Sequence, residues 1–363
     1  MEVTRTSLDW VAAHRDGFRL GPDALDPAAD VNRSWKPLGE LAQVCARVRS
    51  HGAPGGPARR IAGELLDFAW RETGEGALLL DLQRLEPAAT YPLEVYAVFA
   101  SAGYRHPGYE ELAGSLVRTR SWRATEMHPN RRLGVRNAER RAGLRSGPAP
   151  FPAAGVSGAE AGPYGVRPGP AADAVRPDGG PTDSGPTDPA GLDITWLGAL
   201  PEPWLFERAA GYTLTHVVFH LTDWGRWPRG IPPGLAGYLD DWLPAWLDGC
   251  LDDEQWDLGC ELLAVAASLP DAPAPGRSGH PPRPAALRSG PETARSASVW
   301  SLLAGARDAG GAIPEVGPGS QGGPVPRDFA HCYHSTLMAV FAGTLVAARF
   351  RRDPAPAGRE GPS

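Results

Sequence analysis

Along most of the chain apolar residues recur at helical spacing, and the alternation expected of half-buried strands is missing. LDWVAAHR, at 8–15, puts Leu8, Val11 and Ala12 on one face and stops at Asp16-Gly17. LGELAQVCARVRS then predicts a second helix, with Pro37 suited to its first turn. The same order repeats. Helices at 58–72, 109–120, 194–200, 235–250 and 296–307 are each followed by a partner richer in small apolar residues, at 91–102, 130–141, 211–224, 256–269 and 331–349. GALLLDLQRLEPAAT reads as an apolar connection before the helix at 91. With the low-complexity tracts set aside, the second helices begin roughly 40 to 55 residues apart, the period range of helical arrays.

The pattern predicts an all-α chain of six helical hairpins in a closed (α/α)6 toroid. The second helices would form an inner barrel, with their N-terminal ends opening on one face of a central cavity. An open solenoid or an irregular bundle is the competing arrangement, but second helices that are apolar all round do not suit a one-sided array. Residues 1–145 would carry hairpins one to three and 193–350 hairpins four to six of the same toroid. Between them, 146–192 has the Pro/Gly-rich bias of a disordered linker, as have an insert at 271–297 and a tail at 351–363. Division into two domains of three hairpins would leave both inner faces exposed.

Charge narrows the partners. A net charge of -6 and no basic stripe interleaved with aromatics argue against nucleic acid or an anionic membrane. MEVTRTSLDW lacks a basic stretch followed by an apolar one, and no apolar run reaches the ~20 residues of a membrane span, so a cytoplasmic protein is expected. Cys45, Cys250, Cys260 and Cys332 form no CxxC pair, which points to reduced thiols.

The candidate chemistry gathers at the second-helix starts. In AGYTLTHVVFHLTDW, His216, His220 and Asp223 stand at i, i+4 and i+7, on one side of a continuous helix and suited to zinc, copper or iron. RDFAHCYHSTLMAVF sets His331 and His334 at i and i+3, and WDLGCE contributes Asp257, Cys260 and Glu261. In a toroid these three starts belong to consecutive inner helices and reach one depth. Histidines serving only as hydrogen-bonded cavity-wall residues are the plainer alternative. The other starts bring Lys36, the sole lysine, Tyr91, Glu94 and the arginines Arg131, Arg132 and Arg136 to the same rim. An arginine cluster at a helix N-terminus can hold a phosphate or carboxylate, or be a solvated basic face.

RDFAHCYHSTLMAVFAG resembles the D-F-Y-H-T helix start, and AGYTLTH the G-G-Y-T start, of the terpenoid cyclase and protein prenyltransferase β-subunit superfamily of α/α toroids. WDLGCE resembles its D-x-C segment. The resemblance implies His334, Cys260 and Asp257 as zinc ligands. The D-x-D-D acid motif of the cyclases is missing, and Asp257 and Cys260 are three apart rather than two. RSWKPLGELAQVCA, FAWRETGEGALLLDLQRLEP, YPLEVYA, NRRLGVRNAERR, YTLTHVVFHLTDWG, WDLGCELLAVAAS and HCYHSTLMA resemble a bacterial family of a domain of unknown function, found among natural-product biosynthesis genes.

The expected function is a small-molecule tailoring enzyme of secondary metabolism, with metal-dependent or histidine general-base chemistry of lyase, cyclase or transferase type. His216, His334, Asp223 and Glu261 are its candidate catalytic groups. His216, His220, Asp257, Cys260, His331 and His334 are candidate ligands for zinc or another transition metal, and Lys36, Tyr91, Glu94, Arg132, Tyr212 and Tyr333 are candidate substrate contacts. The alternative is a non-catalytic scaffold that binds a peptide, carrier protein or pathway enzyme.

Overall fold

The computed structural model describes residues 2–26, 28–144, 191–270, 299–321 and 323–352. The predicted insert at 271–297, and all but the ends of the predicted linker at 146–192 and tail at 351–363, lie outside them. The regular elements among the described residues are helical, with no strand. In order they are α1 (Glu2–Ala13), α2 (Trp35–His51), α3 (Pro57–Glu72), α4 (Ala77–Leu85), α5 (Tyr91–Ser101), α6 (Pro107–Leu116), α7 (Arg120–Ala124) and α8 (Pro129–Arg141). There follow α9 (Arg208–Leu221), α10 (Pro233–Asp252), α11 (Trp256–Ser268), a helix over 299–306 (α12), α13 (Pro318–Gln321) and α14 (Phe329–Arg352).

Prolines set many of the starts. Pro57, Pro92, Pro107, Pro129 and Pro233 sit in the first turns of α3, α5, α6, α8 and α10, where a missing N–H costs no helical hydrogen bond. Two expectations fail. The apolar connection after α3 is itself a helix, α4, because Leu79 and Leu82 fall one turn apart and bury a common face. The expected helix at 194–200 is a series of turns, with the Thr195 hydroxyl capping the Gly198 amide at 2.9 Å.

Six helices pack in sequence: α2 on α5, α5 on α8, α8 on α9, α9 on α11, α11 on α14, and α14 on α2. They run in one direction. At their starts Arg131 of α8 pairs with Glu94 of α5, Tyr212 of α9 meets Asp257 of α11, and His334 of α14 meets Glu40 of α2. At their ends Arg141 of α8 reaches Ser101 of α5, and Arg349 of α14 reaches the Ala266 carbonyl of α11. The other helices flank them: α1 lies on α14 and α3, α3 on α2, α4 on α5 and α6, and α10 on α11.

The Gly/Pro loop before α13 is a buried strap. Ala312, Ile313 and Val316 are buried, and the Asp308 carboxylate turns the chain by accepting from the Gly311 and Ala312 amides at 2.8 and 2.9 Å. The Ile313 amide donates to Thr336 Oγ1 at 2.9 Å, the Glu315 amide to the His331 carbonyl at 3.0 Å, and the Asp257 amide to the Glu315 carbonyl at 3.0 Å. The strap thereby ties the start of α14 to the start of α11. Gly311 begins it with φ of 106°, and a Cβ there would lie 2.4 Å from the Thr6 carbonyl oxygen. Gly311→Ala is expected to cost about 2–4 kcal/mol in urea unfolding, from left-handed strain plus a backbone clash.

Candidate functional site

With α9 behind the α11 carboxylates, the first two turns of α2, α11 and α14 converge on the His334 imidazole. Its Nδ1 lies 2.9 Å from Glu40 Oε2, and its Nε2 lies 3.1 Å from Glu261 Oε1 and 3.4 Å from Asp257 Oδ1. Asp257 and Glu261 are one helical turn apart on α11, so both carboxylates leave the helix on one face. Each is held from behind. The Tyr212 hydroxyl donates to Asp257 Oδ2 at 2.7 Å, and the Thr215 hydroxyl donates to Glu261 Oε2. Tyr333 and Lys36 address Glu40, the lysine Nζ at 3.9 Å from Oε1.

Electrostatics make this an acidic site built around one basic ring. Burial works against charge on His334, yet Asp257, Glu40 and the hydrogen bonds to Glu261 and Glu40 outweigh it and hold the imidazole well above its usual range. Burial raises Asp257 to about 6, against the pull of His334. Glu261 stays below the ordinary glutamate value: burial would lift it, but hydrogen bonding to His334 and the nearby His216 and His334 charges prevail.

A neutral imidazole has only one N–H. With that proton on Nδ1 toward Glu40, the Nε2 lone pair faces two carboxylate oxygens, which is repulsive unless a proton or cation lies between them. Asp257 Oδ1 is buried and has no hydrogen-bond partner. The ligand atoms of Asp257, Glu261 and His334 all lie within 4.8 Å of one another. Bonds of 2.0–2.2 Å from nitrogen and oxygen would separate neighbouring donors in a tetrahedral shell by roughly 3.3–3.6 Å, close to the spacing around Nε2. Glu40 completes the carboxylate–histidine pairing that orients metal-bound imidazoles. The residues therefore fit a divalent ion bound by one nitrogen and two carboxylates.

The other sequence candidates divide by position. His216 is exposed on α9 and close enough to lower the Glu261 carboxyl, with its ring 6.2 Å from that of His220. His220 lies deeper, against Gly134 of α8, and its buried Nδ1 has no partner. Cys260 is fully buried, its thiol pushed well up by burial and outside the Asp257–Glu261–His334 group. His331 is exposed and bonds Asp328 at 2.7 Å. The expected face of His216, His220 and Asp223 does not form, because α9 ends at Leu221 and Asp223 adopts φ of 50°. Asp223 lies instead among arginines at the opposite end of the helices.

Among the proposed substrate contacts, Lys36, Tyr212 and Tyr333 reach the site through Glu40 or Asp257, as described. Tyr91 bonds Glu86 at 3.5 Å, and Glu94 pairs with Arg131. Arg132 donates to the carbonyls of Arg123 and Thr125 and so pins the turn before α8. Glu40 is absent from the sequence candidates. Its only local signal is the i, i+4 pair with Lys36, which is indistinguishable from an ordinary surface ion pair.

Burial, then the adjacent His216, hold the His220 imidazole down to about 3. Unfolded chains protonate it near 6.5, so stability is lost as pH falls from about 6.5 toward 3. Urea unfolding at pH 5 is expected to show a penalty of up to about 2 kcal/mol relative to pH 7 that His220→Leu lacks. An equal pH dependence in both proteins would contradict it.

No curated protein matches the chain, and no solved structure matches it. A family model does match, over residues 4–158 and 174–344, from α1 through most of α14. The chain belongs to the family described as Domain of unknown function (DUF6895).

Proposed function

We propose that this protein is a small-molecule tailoring enzyme of secondary metabolism, whose candidate site binds one divalent transition metal, zinc first among them. Asp257, Glu261 and His334 would hold the ion, with Glu40 orienting His334. The observation that carries this reading is the pairing at Nε2: two carboxylate oxygens, one with no other partner, face a nitrogen whose neighbouring Nδ1 already addresses Glu40. Three carboxylates around one imidazole leave an excess of negative charge that a divalent ion would offset.

The same proposal covers the architecture. We infer a closed (α/α)6 toroid, supported by the packing of α14 back on α2 and by the common direction of the six helices. One unit then spans the Pro/Gly-rich tract, in keeping with a family match on both sides of it. No helix among the described residues is long and apolar enough to cross a membrane. A cytoplasmic location and a small organic or peptide substrate complete the reading.

A bound metal would supply Lewis acidity or an activated water. The protein's own groups divide the remaining work. Tyr212 and Thr215 fix the outer oxygens of Asp257 and Glu261, leaving the inner ones directed at His334. His216, exposed beside Glu261, would be the general acid or base.

Metal analysis of protein purified without an affinity tag tests the site. About one equivalent of metal is expected in the wild type and little in His334→Ala, whereas less than about a tenth of an equivalent in the wild type, with no binding on titration, would sink the metal reading. Metabolite profiles of strains carrying wild type or His334→Ala test the enzyme reading. An unchanged profile with folded variant protein would favour the scaffold alternative.

A further inference from the structure

A second polar cluster lies at the other end of the six helices. It is built from Arg47 of α2, Arg140 and Arg141 at the end of α8, and Asp223 and Arg226 just beyond α9. Asp223 is fully buried and meets Arg140 and Arg141 at 3.5 Å and Arg226 at 3.9 Å. Thus four guanidiniums stand in one electrostatic neighbourhood with one carboxylate. Burial and mutual repulsion both weaken the hold of Arg47 and Arg141 on their protons, with Asp223 opposing.

Arg141 Nε and both Asp223 oxygens lack hydrogen bonds but face each other as an ion pair, whereas Arg47 has neither kind of partner among the described residues. It is only 3% exposed, its Nε has no hydrogen-bond partner, and among the described residues no carboxylate lies within ion-pair distance of it. Gln43, one turn earlier on α2, accepts from Arg141 through Oε1 at 2.7 Å while its buried Nε2 donates to nothing. A buried cation and a buried amide donor without acceptors are costly unless something supplies the acceptor.

The place for it is adjacent. A cleft of about 330 Å³ opens there, lined by Arg47, Arg49, Ser50, Arg59, Ser101 and Arg226. Arginines at helix C-termini ordinarily satisfy the last carbonyls and the dipole. Arg49, Arg349 and Arg351 do so, donating to the carbonyls of Ala102, Ala266 and His51. Arg47 and Arg226 make no such bond among the described residues; both line the cleft, Arg226 while also facing Asp223 at 3.9 Å and the Trp227 ring.

We propose that this cleft is a binding site for the phosphate or diphosphate group of a small molecule. The guanidinium fork matches phosphate oxygens in pairs, and a group carrying two or more negative charges balances a cluster that a single carboxylate leaves positive. The cleft volume suits a small phosphorylated compound rather than a polymer. Its position at the helix ends opposite His334 makes it a separate site, independent of any metal there.

Calorimetric titration of the full-length protein with inorganic pyrophosphate, inorganic phosphate and citrate tests the assignment. Pyrophosphate is expected to bind with Kd below about 1 mM, ahead of phosphate and citrate. Arg226→Gln, at an exposed side chain, and Arg47→Met should each weaken it by about tenfold or more. Glu261→Gln should leave it unchanged, since phosphates also bind metals. No binding at millimolar pyrophosphate, equal affinity in both arginine variants, citrate binding as tightly as pyrophosphate, or loss in Glu261→Gln would each overturn the proposal. Should Arg47→Met fail to fold, Arg226→Gln carries the test alone.

Discussion

Replacing Glu40 by glutamine is expected to weaken zinc binding by about 10- to 100-fold while leaving Asp257, Glu261 and His334 in place. Glu40 Oε2 stands 2.9 Å from His334 Nδ1, where with a metal bound it would hold the proton and leave the Nε2 lone pair, on the side of the two α11 carboxylates, to the ion. Glutamine has nearly the same shape but no charge, and its amide N–H₂ rewards the opposite tautomer. Competition with a chromophoric chelator at fixed pH measures the change. Lys36→Met is the matched control, because Lys36 is half exposed and 3.9 Å from Glu40 without touching the imidazole. Its effect should stay within roughly twofold. If Glu40→Gln behaves like Lys36→Met, Glu40 does not orient His334.

The second large effect is on stability. Asp223→Asn is expected to lower the unfolding free energy by about 3 kcal/mol at neutral pH, because it removes the one carboxylate among the described residues that faces Arg140, Arg141 and Arg226 from a fully buried position. Asparagine tolerates the left-handed backbone at this position, so the substitution reports on charge rather than strain. Arg226→Gln should cost under about 1 kcal/mol, since half of that side chain is in solvent. A loss in urea unfolding no larger for Asp223→Asn than for Arg226→Gln would show that the cluster is held by its arginines' other bonds.

The helical class and the second-helix starts were readable from proline placement and apolar spacing, because both act within one turn of the residue concerned. α4 is a short, leucine-rich segment between two clearer helices, where apolar spacing does not separate a helix from an apolar connection. The end of α9 was misplaced by three residues. Gly225, with φ of 77°, is a stop signal, but the chain turns two residues earlier, at Asp223 and Trp224, whose left-handed backbone no composition rule anticipates.

At the site, the resemblance implies Cys260, whereas the i, i+4 geometry of Asp257 and Glu261 puts those two carboxylates on one face. Glu40 was out of reach of any local rule. Its part depends on α14 packing on α2, a contact between segments far apart in sequence.

That separation has a consequence during synthesis. Glu40 and His334 are 294 residues apart, with Asp257 and Glu261 in between. A nascent chain that has emerged only as far as α11 carries the carboxylates but no imidazole between them. Contacts this distant close late in folding. On the proposed metal reading, cations meeting the growing polypeptide would find loose acidic side chains rather than a finished cage, and ion selection would be deferred until α14 has docked.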